Sequence, residues 1–243
     1  MANNLAEYQT PEIYDAEYGS FKDDLHVFLG LKHQGSALDL ACGTGRLTIA
    51  LAKSGLSCVG LDASDPMLTR AKTKSEGLDI SYTQRDMTNF QLNQTFDLIT
   101  LAGNAFQALL SNEDQDNLFA SVKAHLNSDG IFAFNTRNLR PDDKKISTDY
   151  VFWHDFIDPS GQLVKVFGKQ VYNSSKNTVC YTTKRIWPDT EAITDIELRF
   201  TSLEDLEHKL RISDFEVINR YGDFHKDPFV NSSPNIILIC RLK

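Results

Sequence analysis

Leu38-Asp39-Leu40-Ala41-Cys42-Gly43-Thr44-Gly45 is the stretch on which the fold is read. A short apolar run, 37–41, ends in a loop with two glycines, and residues 47–52 then open a helix. A strand that turns through glycines into a helix is a ligand corner of an open α/β sheet, where ligands bind outside the carboxyl ends of the strands. Glycine there lets the backbone come close to a ligand and take conformations other residues avoid. Two common occupants fit poorly. A dinucleotide loop wants a third glycine where Thr48 stands, and Asp39 would repel a pyrophosphate. A P-loop needs a Lys-Ser/Thr pair that does not follow at the required spacing.

Outward from this loop, 58–61, 80–83, 96–102 and 131–135 read as further strands, with helical patterns between them. Asp65 is a candidate N-cap with Pro66 at the first helical position and Gly77 at the exit. Ser111 with Asp114 resembles a capping box ahead of Leu118, Val122 and Leu126. Strands alternating with helices imply a parallel sheet covered on both faces. From 149 to 201 the pattern changes to four strands joined by turns at 158–161, 173–175 and 188–190. Ile196, Leu198 and Phe200 share one face of the last strand and Asp195, Glu197 and Arg199 the other, as in an antiparallel meander with one solvated face. A helix at 202–210 and strands at 215–221 and 236–242 resume the α/β pattern.

The 243 residues carry 33 acidic and 25 basic side chains, a formal charge of −8. With 41% hydrophobic and 24% charged residues, a disordered chain is excluded and one domain with an elaboration is expected. The acidic balance argues against nucleic acid as a partner. Cys42, Cys58, Cys180 and Cys240 lack metal-ligand spacing and read as reduced thiols. The polar residues 1–10 do not form a signal peptide, and no run nears the roughly 18 apolar residues of a membrane span. The expected place is cytoplasmic, without a membrane and without a metal site.

Asp39, Asp62 and Asp86 stand at or just past the ends of three consecutive strands. Three carboxylates on one sheet rim suit a ligand that carries cations and hydroxyl or amino donors. Together with Leu38 to Gly45, the motifs Gly60-Leu61-Asp62-Ala63-Ser64, Met67-Leu68, Arg85-Asp86-Met87 and Phe96-Asp97-Leu98-Ile99 make the sequence resemble the class I S-adenosylmethionine-dependent methyltransferases. The resemblance covers about 35–140, extends to 215–243, and implies a Rossmann-like α/β fold: a seven-stranded, mostly parallel sheet with helices on both faces. By resemblance, Asp39, Ala41, Gly43 and Gly45 hold the methionine part of the cofactor. Asp62 takes the ribose hydroxyls with Ala63 and Met67 beside the adenine. Asp86 accepts from the adenine amino group, Met87 packs on the ring, and Ala102 lines the rim. Tyr18 lids the sulfonium, with Tyr14, one helical turn earlier, nearer the substrate.

The expected organisation is an N-terminal helical lid at 1–34, a cofactor domain at 35–146 and 202–243, and an inserted antiparallel meander at 147–201. The insertion resembles that of small-molecule methyltransferases, including amino-sugar N-methyltransferases, where it roofs the pocket or joins two subunits, so a monomer or homodimer is expected. Strand-end position nominates Asn104 and His225 for catalysis and Asn104, Gln107, Asn135 and Arg137 for substrate contact, and the meander supplies His154 as a further base and Trp153 as a further substrate contact. A strong base is optional, because a neutral amine attacks an activated methyl directly whereas a hydroxyl needs help. The implied reaction is N- or O-methylation of a small molecule by in-line displacement, with S-adenosylhomocysteine as product. RNA or protein methylation and a binding protein without turnover are the alternatives.

Overall fold

The computed structural model describes residues 4–31 and 34–243. Apolar runs covered on both faces become its parallel strands: β1 (Ser36–Leu40), β2 (Ser57–Asp62), β3 (Ile80–Gln84), β4 (Phe96–Leu101) and β5 (Leu126–Arg137). A separate antiparallel sheet follows, of β6 (Ser147–Ile157), β7 (Leu163–Asn173), β8 (Thr178–Ile186) and β9 (Glu191–Arg199). The chain then returns to the first sheet with β10 (Phe215–Tyr221) and β11 (Asn235–Leu242). The order is β3-β2-β1-β4-β5-β11-β10, with β11 antiparallel to both its neighbours. This is the seven-stranded, mostly parallel sheet expected from sequence, with the meander inserted after β5.

Alternation along the strands sends side chains to two cores. Leu38, Ile99, Phe132 and Leu238 face α5 (Asn112–His125) and α6 (Leu203–Ile212), where Phe119 and Leu206 are fully buried. Ala37, Leu98, Ala133 and Ile239 face the opposite side. There Val27 and Phe28 of α2 (Leu25–Leu29) and Leu47 and Leu51 of α3 (Arg46–Lys53) cover the sheet. Each such side chain contributes about 1.5–3 kcal/mol by leaving water. The short α2, expected within the lid, therefore belongs to the core. What remains of the segment expected as a lid is the 3₁₀ turn Asn4–Tyr8 and α1 (Pro11–Tyr18).

Two local readings are refined. The cap of α4 (Asp65–Lys74) is Ser64, whose hydroxyl accepts the Met67 N–H, and not Asp65. The chain turns one residue earlier because Asp62 Oδ1 accepts the Ser64 N–H at 2.8 Å. The Ser111–Asp114 box forms in both directions, at 3.0 and 3.1 Å. In the inserted sheet, pairing of β6 with β7 shifts between Phe152 and His154, which makes Trp153 a bulge. Phe152 stays with Phe167 on the outer face, while Trp153 packs over buried Gly168 on the inner face, and His154 follows it inward opposite buried Val166. All four cysteines are free. Among the described residues no helix is long and apolar enough to cross a membrane, and no group of three His, Cys, Asp or Glu could hold a metal ion.

Candidate functional site

The chain leaves β1 and β4, which are neighbours, in opposite directions across the sheet, and a crevice opens between their carboxyl ends. Its floor is built from left-handed backbone: Ala41 and Gly43 after β1, with φ of 50° and 55°, and Gly103 and Asn104 after β4, at 66° and 61°. Non-glycine residues in that region carry strain of order 1–3 kcal/mol each, a pattern concentrated at ligand sites. A Cβ added at Gly43 or Gly103 would meet nothing within 4 Å, so both backbones border open space. That space is a cavity of about 870 Å³, within the range of small-molecule sites. Gly45 does not line it. A Cβ there would come within 2.9 Å of the Tyr82 hydroxyl and 3.2 Å of Ala71, so Gly45 starts α3 in a crowded corner instead of touching ligand.

Asp39, Asp62 and Asp86 all line the cavity, and none has an ion-pair partner among the described residues. Asp39, 3% exposed, accepts only from the hydroxyls of Thr48 (2.6 Å) and Thr100 (2.8 Å). Burial raises its pKa from 3.8 to about 6 against the pull of those two bonds. Asp62 is raised by burial too, opposed by backbone N–H groups of Ser64 and Gly43, the latter at 2.8 Å to Oδ2. It therefore shapes the glycine loop as well as facing the cavity. Asp86 accepts from the Thr88 N–H and hydroxyl, both at 2.8 Å. Ala63, Met67, Met87 and Ala102 give the apolar wall between them.

The lid closes one side with three tyrosines in a row. Tyr8 and Tyr14 meet edge to face at 5.9 Å between ring centres, and Tyr14 and Tyr18 at 5.1 Å. Burial raises the Tyr14 and Tyr18 pKa values, helped at Tyr18 by the charges of Glu17 and Glu7, so both phenols stay neutral. Asp15 fastens this segment to the glycine-loop side: it accepts from the Thr44 hydroxyl at 2.6 Å, Lys74 Nζ at 2.8 Å and Arg70 Nε at 2.9 Å. Arg46, the first residue of α3, lines the same region and is held by the fully buried Asp24 through two bonds of 2.5 and 2.6 Å.

On the far side, Arg137 is clamped between the rings of Tyr181 and Phe200, 5.1 Å from each centre, and its Nε donates to Gln107 Oε1 at 2.8 Å. Gln107 is fully buried; its Nε2 and Arg137 Nη2 are closed off from solvent and have no partner among the described residues. Asn104 lines the cavity and its Oδ1 accepts from Asn135 Nδ2 at 2.7 Å; Asn135 itself stands behind it and does not reach the cavity wall. Trp153 lines the roof beside Tyr181, the ring centres 6.2 Å apart.

Two nominated bases are corrected. His154 does not line the cavity, because the Trp153 bulge turns it toward the lid, where Nε2 lies 3.0 Å from Glu17 Oε1. His225 is exposed on the loop after β10, its N–H bound to Asp223, and lies outside the cavity. Sequence reasoning missed Tyr8, Arg46, Tyr181 and Asp143, all of which line the cavity. Arg46 directly follows the glycine loop, a signal open to reading; Tyr181 and Asp143 come from distant chain and had none.

Residues 37–130 match the family model described as a methyltransferase domain. The ubiquinone biosynthesis O-methyltransferase of Actinobacillus pleuropneumoniae is 36% identical over 109 residues, 42% of this chain and 45% of that one. The chain spans about two fifths of the length of the first curated relatives it matches. An S-adenosylmethionine-dependent methyltransferase from Clostridium acetobutylicum shares the fold with a TM-score of 0.79 at 22% identity, covering 98% of this chain and 99% of that one. An amino pentose methyltransferase from Micromonospora echinaspora, solved with its cofactor bound, gives 0.71 at 18% identity over 94% and 96%.

Proposed function

We propose that this chain, which shares the class I methyltransferase fold and whose residues 37–130 match a methyltransferase domain, transfers a methyl group from S-adenosylmethionine to a small-molecule acceptor. The observation that carries the reading is the set of three carboxylates, Asp39, Asp62 and Asp86, without cationic partners among the described residues and gathered around one cavity. When bound, S-adenosylmethionine supplies a methyl already activated on a sulfonium.

The residues present fit that group. Asp39 offers its charge to the ammonium end, Asp62 accepts from the ribose diol, and Asp86 accepts from the adenine amino group. Met67 and Met87 cover the ring, and open Gly43 leaves room where a side chain would intrude. The neutral faces of Tyr14 and Tyr18 favour a neighbouring cation. Asn104, braced by Asn135, orients the acceptor at the rim of β4, and the roof residue Trp153 helps exclude water. Among the described residues no His lines the cavity, and an acceptor that binds as a neutral amine needs none. The cytoplasm, which keeps thiols reduced, is the compartment that suits the four free cysteines.

Calorimetry tests the cofactor half. S-adenosylmethionine and S-adenosylhomocysteine should bind, and Asp62→Ala or Gly43→Val should weaken both at least tenfold. Methyl-labelled cofactor offered with a panel of amino acids, amino sugars, tRNA and protein tests the rest. Label only in tRNA or protein would overturn the small-molecule acceptor, and unchanged affinity in both variants would overturn the cofactor site.

A further inference from the structure

Behind the tyrosine row lies a charge cluster that methyl transfer leaves unused. Arg185, on the inner face of β8, is 7% exposed. Its Nε donates to Glu17 Oε2 at 2.6 Å, and its Nη1 to Thr194 Oγ1 at 3.1 Å and Glu7 Oε2 at 3.3 Å. Its Nη2 donates to Glu7 Oε1 and lies 3.5 Å from the Tyr18 hydroxyl. The Thr194 hydroxyl also donates to Glu7. His154 approaches the other oxygen of Glu17, whose side chain is 0% exposed. At the edge of the sheet the Asn4 amide pairs with both the N–H and the C=O of Glu197, at 3.0 and 2.8 Å. Strands β6, β8 and β9 thus grip the lid through two carboxylates and one side-chain amide. Glu7 immediately precedes Tyr8 and Glu17 precedes Tyr18, so that grip fixes the rings at both ends of the row.

A buried Arg–Glu cluster is a poor source of stability, because desolvation cancels much of the attraction and apolar residues would hold a permanent seam as well. Charges regain water when a seam parts, whereas exposing apolar side chains to water costs free energy. A charged seam therefore suits a lid that must release and reclose. The other fastening of the lid, Asp15 to Thr44, Arg70 and Lys74, sits on the glycine-loop side.

The geometry points to Arg185 as a positioning residue: through Glu17 and Glu7 it sets the tyrosine lid, so the inserted sheet governs the affinity of the S-adenosylmethionine site from behind. This rests on the cofactor reading above and goes beyond it, because Arg185 is not one of the groups placed against cofactor or acceptor there.

The test compares Arg185→Met, Arg185→Lys and the neutralised triple variant Glu7→Gln, Glu17→Gln, Arg185→Met. The readouts are calorimetry with S-adenosylmethionine, amide hydrogen exchange and thermal midpoint. Arg185→Met should weaken binding tenfold or more and speed exchange at 4–18 while 36–62 stay protected, and Arg185→Lys should recover part of the loss. The triple variant, free of stranded buried charge, should regain the thermal midpoint but not the affinity. Wild-type affinity in Arg185→Met, or in the triple variant, would overturn the proposal. If the unmodified protein binds no S-adenosylmethionine, the cofactor reading fails. Exchange at 4–18 then still decides the lid: unchanged rates in Arg185→Met overturn its role, and faster ones uphold it.

Discussion

Asp39 shows how one buried carboxylate trades stability for binding. It has two hydroxyl donors and, among the described residues, no cation in contact, and burial raises its pKa from 3.8 to about 6. The folded chain therefore holds a proton that the unfolded chain has released. The contribution to stability is fully present below about pH 4 and is lost as pH rises through about 6. At pH 7.5 the ionised group costs up to about 3 kcal/mol, at ~1.4 kcal/mol per pKa unit. Asp39→Asn keeps the shape and removes the charge. It should be more stable than the parent by about 1–3 kcal/mol at pH 7.5, with the gain fading toward pH 4. Urea unfolding at several pH values measures this, and a variant less stable than the parent at pH 7.5 would refute it. The same change should weaken S-adenosylmethionine binding, and in the parent that binding should strengthen as pH rises through about 6, when Asp39 ionises.

Strands and turns carry the next level of control, and the β6 bulge is the clearest instance. Gly168 lies beneath the Trp153 indole so closely that an added Cβ would stand 1.9–2.1 Å from three indole carbons. Gly168→Ala must therefore lift the indole off the inner face, at an overpacking cost of about 1–3 kcal/mol. Tryptophan emission should shift and the thermal midpoint fall. An unshifted spectrum would mean that the indole does not pack on Gly168. The same element marks where sequence stops being readable. Parallel strands announce themselves as apolar runs, the meander by its turn residues, and Asp39, Asp62 and Asp86 by their place at strand ends, because all of these are local. The bulge is not local: it depends on register with β7, and it alone turns His154 from cavity wall to lid. Arg185 and Glu17 are 168 residues apart, a pairing no periodicity encodes. The cap of α4 failed by one residue for a related reason, since Asp62 reaches over and fixes the turn at Ser64.

Two sheets of unequal substance meet around the cavity. The seven-stranded sheet has an extensive core on each face, whereas the inserted sheet has one small buried cluster, Val179, Tyr181 and Phe200. Its attachments are largely polar: Arg185 to Glu7 and Glu17, Gln115 to Thr201 at 2.8 Å, Arg199 to Asn112 at 2.6 Å, and Arg137 between Tyr181 and Phe200. A ligand seated among Asp62, the tyrosine lid and the roof touches all the parts this seam joins, so its binding energy should tighten the whole assembly and not the glycine loop alone. At a hundred times its Kd, S-adenosylmethionine should stabilise the fold by about 2.7 kcal/mol. For a chain of this size, at roughly 2–4 °C per kcal/mol, that raises the thermal midpoint by about 5–11 °C. The distribution of the gain is the sharper measurement. Amide exchange should slow at 4–18 and in β8 and β9 as well as at 39–62. Protection confined to 39–62 would mean that cofactor binding does not reach the inserted sheet. Coupling through the lid requires the wider pattern, because the tyrosines that face the cavity are held in place by Arg185 and Thr194 on β8 and β9.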